Sequence, residues 1–179
     1  MGKVMILNAS PRAVKSNSKC YAQIFSKYCK IDAEYFNVSK TNHNELCEKI
    51  EQFSDILFVF PLYADSIPVT LLNFLKTLET KPQTKKPVIS VIINCGFIEP
   101  QQNDIAIKII SIFCKQNGYT LGSVLKIGSG EAILQTPFKF LVELKIKKFS
   151  SSIVKRKYRV FQTTMPLSKK MFIKASTKY

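Results

Sequence analysis

Two nearly unbroken apolar runs, ILFVF over residues 56–60 and VISVII over 88–93, constrain this chain more than any other feature. Each is too short for a helix buried on every side, and each is rich in the β-branched and aromatic residues that suit a pleated strand. Successive strand side chains point to opposite faces, so an unbroken apolar run is covered on both, as in the centre of a parallel sheet. Strand patterns lie at 3–8, 33–38, 55–60, 88–94 and 120–128. Helical patterns fall between and after them, at 17–30, 42–53, 69–80, 103–116 and 138–149. Strand and helix thus alternate five times, which predicts an α/β three-layer sandwich with helices on both faces of a five-stranded parallel sheet.

Five units of this length fit the flavodoxin-like strand order 2-1-3-4-5, in which ligands lie outside the carboxyl ends of the strands beside strand 1. A chain of 179 residues needs only one core, and no repeat or low-complexity tract divides it. Composition shifts only near residue 150, so residues 1–150 are expected to form the ligand-binding domain and 151–179 a basic C-terminal extension of it. KPQTKKP, at 81–87, reads as a turn before the fourth strand, and Pro166 as loop punctuation in the least readable part of the chain.

Polar clusters follow strands 1, 3 and 4. The first, ASPRAVKSNS at 9–18, gathers Ser10, Arg12, Ser16, Asn17 and Ser18 where a helix begins, and free backbone N–H groups and the helix dipole point to the same place. Such a loop suits a phosphate monoester. Equally, one of its hydroxyl or amide side chains serves as an N-cap and Arg12 as a solvated charge. The second cluster holds Pro61, Leu62, Tyr63 and Ala64, and the third holds Asn94, Cys95, Gly96, Phe97 and Glu99. A flat heteroaromatic cofactor with a phosphate tail would use the first loop for its phosphate and the other two for its ring. Tyr63 and Phe97 are also consistent with ordinary packed loop aromatics.

The net charge of +15 is uneven: residues 138–179 hold 12 Lys and Arg against Glu143 alone, a balance of +11, and residues 1–137 carry +4. Basic residues interleave there with Leu141, Leu144, Ile146, Phe149 and Ile153, as in a helix with one buried stripe and one solvated face. This reading needs neither nucleic acid nor a membrane as partner, and the charge serves to attract anionic cofactors and substrates. The five cysteines form no CxxC pair and lie near no histidine cluster, so they read as reduced thiols with no metal site. His43, the single histidine, reads as a surface or capping residue. The N-terminal apolar run meets Asn8 and Pro11 too early for a signal peptide, and no run approaches the roughly 20 residues of a membrane span. The expected location is cytoplasmic.

ILNASPRAVKSNS resembles the GSPR…SNS phosphate loop of NADPH-dependent FMN reductases and flavodoxin-like NAD(P)H:quinone oxidoreductases. FPLYADSIPVTLLNFLKTLE resembles their P-x-Y…P…LK segment, and Asn-Cys-Gly-Phe with the later IGSGEA is similar to a bacterial flavodoxin-family subgroup. The resemblance runs over residues 3–135. It implies FMN, with its phosphate at Ser10, Arg12, Ser16, Asn17 and Ser18 and its ring along Pro61, Leu62, Tyr63 and Ala64, and with Asn94, Cys95, Gly96 and Phe97 as the other ring loop. It implies hydride transfer from NADPH or NADH to FMN, then electron delivery to a small-molecule acceptor such as a quinone or free flavin. That chemistry requires no side-chain acid or base, so no catalytic residue is nominated; Tyr63 and Glu99 are the polar groups expected beside the ring. Asn8-Ala9 stands where many relatives have glycine. The resemblance allows a homodimer whose second subunit helps cover the flavin, while no residue fixes the oligomeric state.

Two other readings compete. A flavodoxin-type FMN electron carrier would have the same loops, but such carriers are usually acidic and this chain is basic. A flavodoxin-like module without redox work, binding polyanions through its basic C-terminal segment, would show steeply salt-dependent binding and no flavin. The basic first loop and tail are compatible with a preference for NADPH over NADH, and the sequence leaves that choice open.

Overall fold

The computed structural model describes residues 2–81 and 83–176, apart from the side chains of Val14, Ala175 and Ser176. Pro82 of the expected turn, and residues 177–179 of the basic extension, lie outside the described residues. The strands are β1 (Lys3–Asn8), β2 (Asp32–Asn37), β3 (Asp55–Pro61), β4 (Val88–Asn94), β5 (Leu121–Ile127) and β6 (Val160–Thr163). The helices are α1 (Asn17–Tyr28), α2 (His43–Lys49), α3 (Val69–Thr80), α4 (Asp104–Asn117), α5 (Lys139–Val154) and α6 (Lys169–Ser176). All strand pairings are parallel, in the order β2-β1-β3-β4-β5-β6.

The apolar runs explain both layers. Along β1, Met5 and Leu7 face one core with Phe58 and Phe60 of β3, packed by Leu46 of α2, Phe74 of α3 and Ile110 of α4. Val4 and Ile6 face the other core with Leu57 and Val59, packed by Phe25 of α1 and Ile146 and Phe149 of α5. Each fully buried aliphatic or aromatic side chain contributes roughly 1.5–3 kcal/mol relative to exposure, so the two-sided burial of β3 and β4 anchors the sheet. α4 ends where Gly118, at φ 69°, takes the left-handed conformation that favours glycine.

The sheet has six strands, not the five expected. VFQT is short and alternates between exposed and half-buried residues, as an edge strand covered on one face does, so it lacks the apolar density of the inner strands. α5 also continues past the expected end at residue 149 to Val154. Its serine run looks like a helix stop, but Ser152 Oγ donates to the Phe149 carbonyl at 2.6 Å and lies 2.6 Å from Ser123 Oγ of β5, which satisfies it inside the helix.

The basic extension is tied to the rest of the domain on either side of β6. Arg156, in the left-handed region at φ 54°, sends its guanidinium to both carboxylate oxygens of Asp55 at the start of β3, at 2.5 and 2.9 Å. After β6, Thr164 Oγ1 donates to the Ile98 carbonyl at 2.6 Å, bracing the loop that follows β4. No helix among the described residues is long and apolar enough to cross a membrane.

Candidate functional site

The loops after β1, β3 and β4 meet at the carboxyl edge of the sheet and enclose a cavity of about 490 Å³, within the size range of small-molecule sites. Backbone bonds hold the loops to one another. The Ala9 N–H donates to the Val59 carbonyl at 3.0 Å, the Leu62 N–H to the Asn94 carbonyl at 2.7 Å, and the Cys95 N–H to the Ile127 carbonyl at 2.9 Å.

One wall is the first loop, from Ser10 to Ser18. Ser16 is the N-cap of α1: its hydroxyl accepts from the Lys19 N–H at 3.2 Å and donates to the Ala13 carbonyl at 2.9 Å. The next two N–H groups, of Asn17 and Ser18, have no acceptor within the helix and stand at the positive end of its dipole. Arg12 and Lys15 border the same space, both exposed and without an ion pair among the described residues. Two free cations beside a helix N-terminus give this wall the electrostatics of an anion site.

The second wall is Pro61, Leu62 and Tyr63. Tyr63 and Ser66 exchange two backbone hydrogen bonds of 3.0 Å around Ala64 and Asp65, whose φ values of 46° and 56° make the turn a tight mirror-image type. That turn holds the Tyr63 ring at the rim, 57% exposed. The third wall is Asn94, Cys95 and Gly96. Asn94 Nδ2 donates to the Phe60 carbonyl at 3.2 Å and to Ser18 Oγ at 3.3 Å, which joins this loop to the first helix. Gly130 must be glycine here, because a Cβ would stand 2.8 Å from Asn94 Cβ.

Thus Ser10, Arg12, Ser16, Asn17, Ser18, Pro61, Leu62, Tyr63, Asn94, Cys95 and Gly96 line one cavity. Ala64, Phe97 and Glu99 do not reach its wall. Ala64 is taken up by the turn, the Phe97 ring stands in solvent, and the Glu99 carboxylate turns to Lys169 of α6 at 3.0 Å. The Lys169 contact also lowers the Glu99 pKa, so Glu99 is an ionised partner of α6. Pro11, Lys15 and Glu131 join the lining. Glu131 lies in the IGSGEA segment, which the sequence marked only through its resemblance to that flavodoxin-family subgroup.

Asn8 is the organiser that the strand pattern concealed. Fully buried at the end of β1, its Nδ2 donates to the Ala13 carbonyl at 3.1 Å and to Tyr35 Oη at 2.8 Å, and its Oδ1 accepts from the Ser10 N–H at 3.1 Å. The loop's shape therefore rests on a strand residue. Cys95 is likewise structural in its contacts: its Sγ approaches the Phe97 and Glu99 carbonyls at 3.7 and 3.8 Å and accepts from Asn103 Nδ2 at 3.4 Å. Burial raises its pKa, which keeps the thiol protonated and weakly nucleophilic. Among the described residues no group of three or more His, Cys, Asp or Glu could hold a metal ion.

No family model and no curated protein matches the sequence. Solved structures do match the fold. An FMN-dependent NADH-azoreductase from Bacillus anthracis str. Ames Ancestor, in complex with FMN, is 15% identical, with a TM-score of 0.63 over 86% of this chain and 99% of that one. The Trp repressor binding protein from Bacillus subtilis is 15% identical, with a TM-score of 0.65 over 82% and 99% of the two chains. An NAD(P)H:quinone oxidoreductase from Methanothermobacter marburgensis is 14% identical, with a TM-score of 0.64 over 86% and 97%. The chain therefore has the α/β flavodoxin-like fold, with a sixth strand added at one edge.

Proposed function

We propose that this protein is an FMN-dependent oxidoreductase that takes electrons from NADPH or NADH and passes them to a small-molecule acceptor such as a quinone or free flavin. The observation that carries the reading is the cavity at the carboxyl ends of β1, β3 and β4, where a wall with the electrostatics of an anion site faces two loops suited to a planar ring. FMN fits this donor set, because the first loop combines helix N–H groups, hydroxyls and two cations for a phosphate. Solved proteins of the same fold include an azoreductase named as FMN-dependent and NADH-using, and an NAD(P)H:quinone oxidoreductase, which supports the same reading.

In this account Ser10, Arg12, Lys15, Ser16, Asn17 and Ser18 hold the phosphate. Pro61, Leu62 and Tyr63 lie along one side of the ring, and Asn94, Cys95 and Gly96 lie at its edge. Bound FMN would supply the hydride-accepting and electron-releasing chemistry. The chain's part is to position the ring, exclude water from its inner side and leave the outer side open at Tyr63. FMN binding belongs to residues 1–150, with 151–179 completing the same domain through β6 and α6.

Titrating FMN into the protein and following flavin fluorescence tests the assignment. Stoichiometric quenching with a dissociation constant at or below about 1 μM, some 8 kcal/mol of binding, is expected. No quenching at saturating protein would remove the FMN reading.

A further inference from the structure

A second cavity, of about 380 Å³, opens beside the first and shares Pro11 and Tyr63 with it. Its outer wall comes from elements that the proposed FMN site does not use. Lys40 lies in the loop between β2 and α2, His43 opens α2, and Thr70 and Asn73 lie in the first turns of α3.

This wall is built. Asn42 fixes the loop that carries Lys40 and His43: its Oδ1 accepts from the Ser39 N–H at 2.9 Å, and its Nδ2 donates to the Asn37 carbonyl at 2.8 Å. Thr70 Oγ1 donates to the Ala9 carbonyl at 3.3 Å, tying α3 to the first loop. His43 packs edge-on against Phe74, with ring centroids 6.0 Å apart. Two groups on the wall lack partners. Lys40 is exposed and forms no ion pair among the described residues. His43 Nε2 is the one buried side-chain nitrogen without a hydrogen-bond partner among them. A buried orphan of this kind is satisfied when a water or a ligand reaches it.

We propose that this second cavity is a substrate subsite for an aromatic molecule bearing an oxyanion (a carboxylate, sulfonate or phosphate), with the oxyanion at Lys40 and His43 and the ring against Tyr63 and Pro11. The chemistry of the walls assigns the ligand. Lysine and imidazole nitrogens donate to an oxyanion, whereas the exposed Tyr63 ring and the Pro11 ring offer flat apolar surface. The shared Tyr63 leads a ring from this cavity to the first one. The inference rests on the oxidoreductase reading, and it deepens that reading by giving one of the two substrates a negative charge and a place. The oxyanion is either a substituent of the acceptor or the 2′-phosphate by which NADPH differs from NADH.

Calorimetric titration of the purified protein, loaded with FMN, separates these sources. The probes are anthraquinone-2-sulfonate against uncharged 1,4-naphthoquinone, and NADPH against NADH, each with the natural chain and with Lys40→Ala, His43→Gln and Lys148→Ala. Lys40 is exposed, so its variant folds, and a thermal melt checks His43→Gln. If the acceptor carries the oxyanion, Lys40→Ala and His43→Gln weaken the sulfonate fivefold or more and the neutral quinone less than twofold. If the donor does, the same loss falls on NADPH and spares NADH. Lys148, exposed on α5, controls for general attraction to a basic protein. Equal losses with Lys148→Ala, or no charge-selective loss in either pair, would overturn the subsite. FMN affinity is read separately: unchanged FMN binding without charge selectivity removes the subsite alone, and charge-selective binding without FMN binding removes the oxidoreductase reading.

Discussion

Arg12 borders the first cavity without an ion pair and exposed to solvent, so nothing in the fold depends on its charge. Its substitution is therefore a clean test of the proposed phosphate wall. Arg12→Ala is expected to weaken FMN about 10- to 100-fold, the equivalent of a charge-assisted hydrogen bond of roughly 1.5–3 kcal/mol. Thermal stability should stay unchanged, and fluorescence titration beside a melting curve checks both. Asn8 is the opposite case. Asn8→Ala would leave the Ser10 N–H and the Tyr35 hydroxyl short of a buried partner, so about 1–3 kcal/mol of stability should be lost in urea unfolding. The contrast also marks what could be read from the sequence. Ser10, Arg12 and Ser16 stand between a strand and a helix, where local order alone marks the loop that lines the cavity. Asn8 looked like the polar end of a strand because its partners, Tyr35 and Asn37, come from β2 and meet it only through the β1–β2 register. Glu99 was misplaced for a related reason: its partner Lys169 is far away in sequence, in a segment without a readable motif.

At the level of elements, the inner strands were legible because burial on both faces leaves an unbroken apolar run, and β1 and β4 have the bounds expected of them. β6 was hidden by its edge position and by the surrounding cations. Its attachment explains why the C-terminal segment is part of the sheet. Asp55 is 1% exposed, and the Arg156 guanidinium is its only cationic partner among the described residues. Arg156→Ala leaves a buried carboxylate uncompensated, and because the guanidinium is itself partly solvated the expected cost is about 3 kcal/mol, at the low end for a broken buried pair. Urea unfolding measures it. Since Asp55 begins β3 at the sheet edge opposite the cavity, FMN affinity should be spared in the surviving folded protein. Loss of FMN binding at full stability would contradict this division.

Over the whole molecule, burial raises the pKa of several groups that must stay neutral in the core. Cys47 is pushed up to about 11, and Cys114 and Tyr119 to about 12. The unfolded chain releases these protons at lower pH than the folded one, so folding holds them more tightly and stability falls as pH rises. Stability should be level up to about pH 8.5, near the ordinary thiol pKa, and decline from there toward pH 12. Melting curves across this range test the sign, and Cys114→Ala should flatten the decline. The same burial protects these thiols: iodoacetamide at pH 8 is expected to label exposed Cys20 well before Cys47, Cys95 or Cys114. The net charge of +15 acts at this scale too, drawing anionic nucleotides toward a cavity that already has two free cations at its rim. The proposed function is electron transfer from a nicotinamide nucleotide to FMN held at the carboxyl edge of the sheet. The most direct measurement is the visible spectrum of the protein with one equivalent of FMN, recorded before and after anaerobic NADPH. The account predicts a bound flavin band that bleaches on addition of the nucleotide. A bound band that persists would mark a carrier without a nicotinamide substrate, and the absence of any bound band would contradict the cofactor assignment itself.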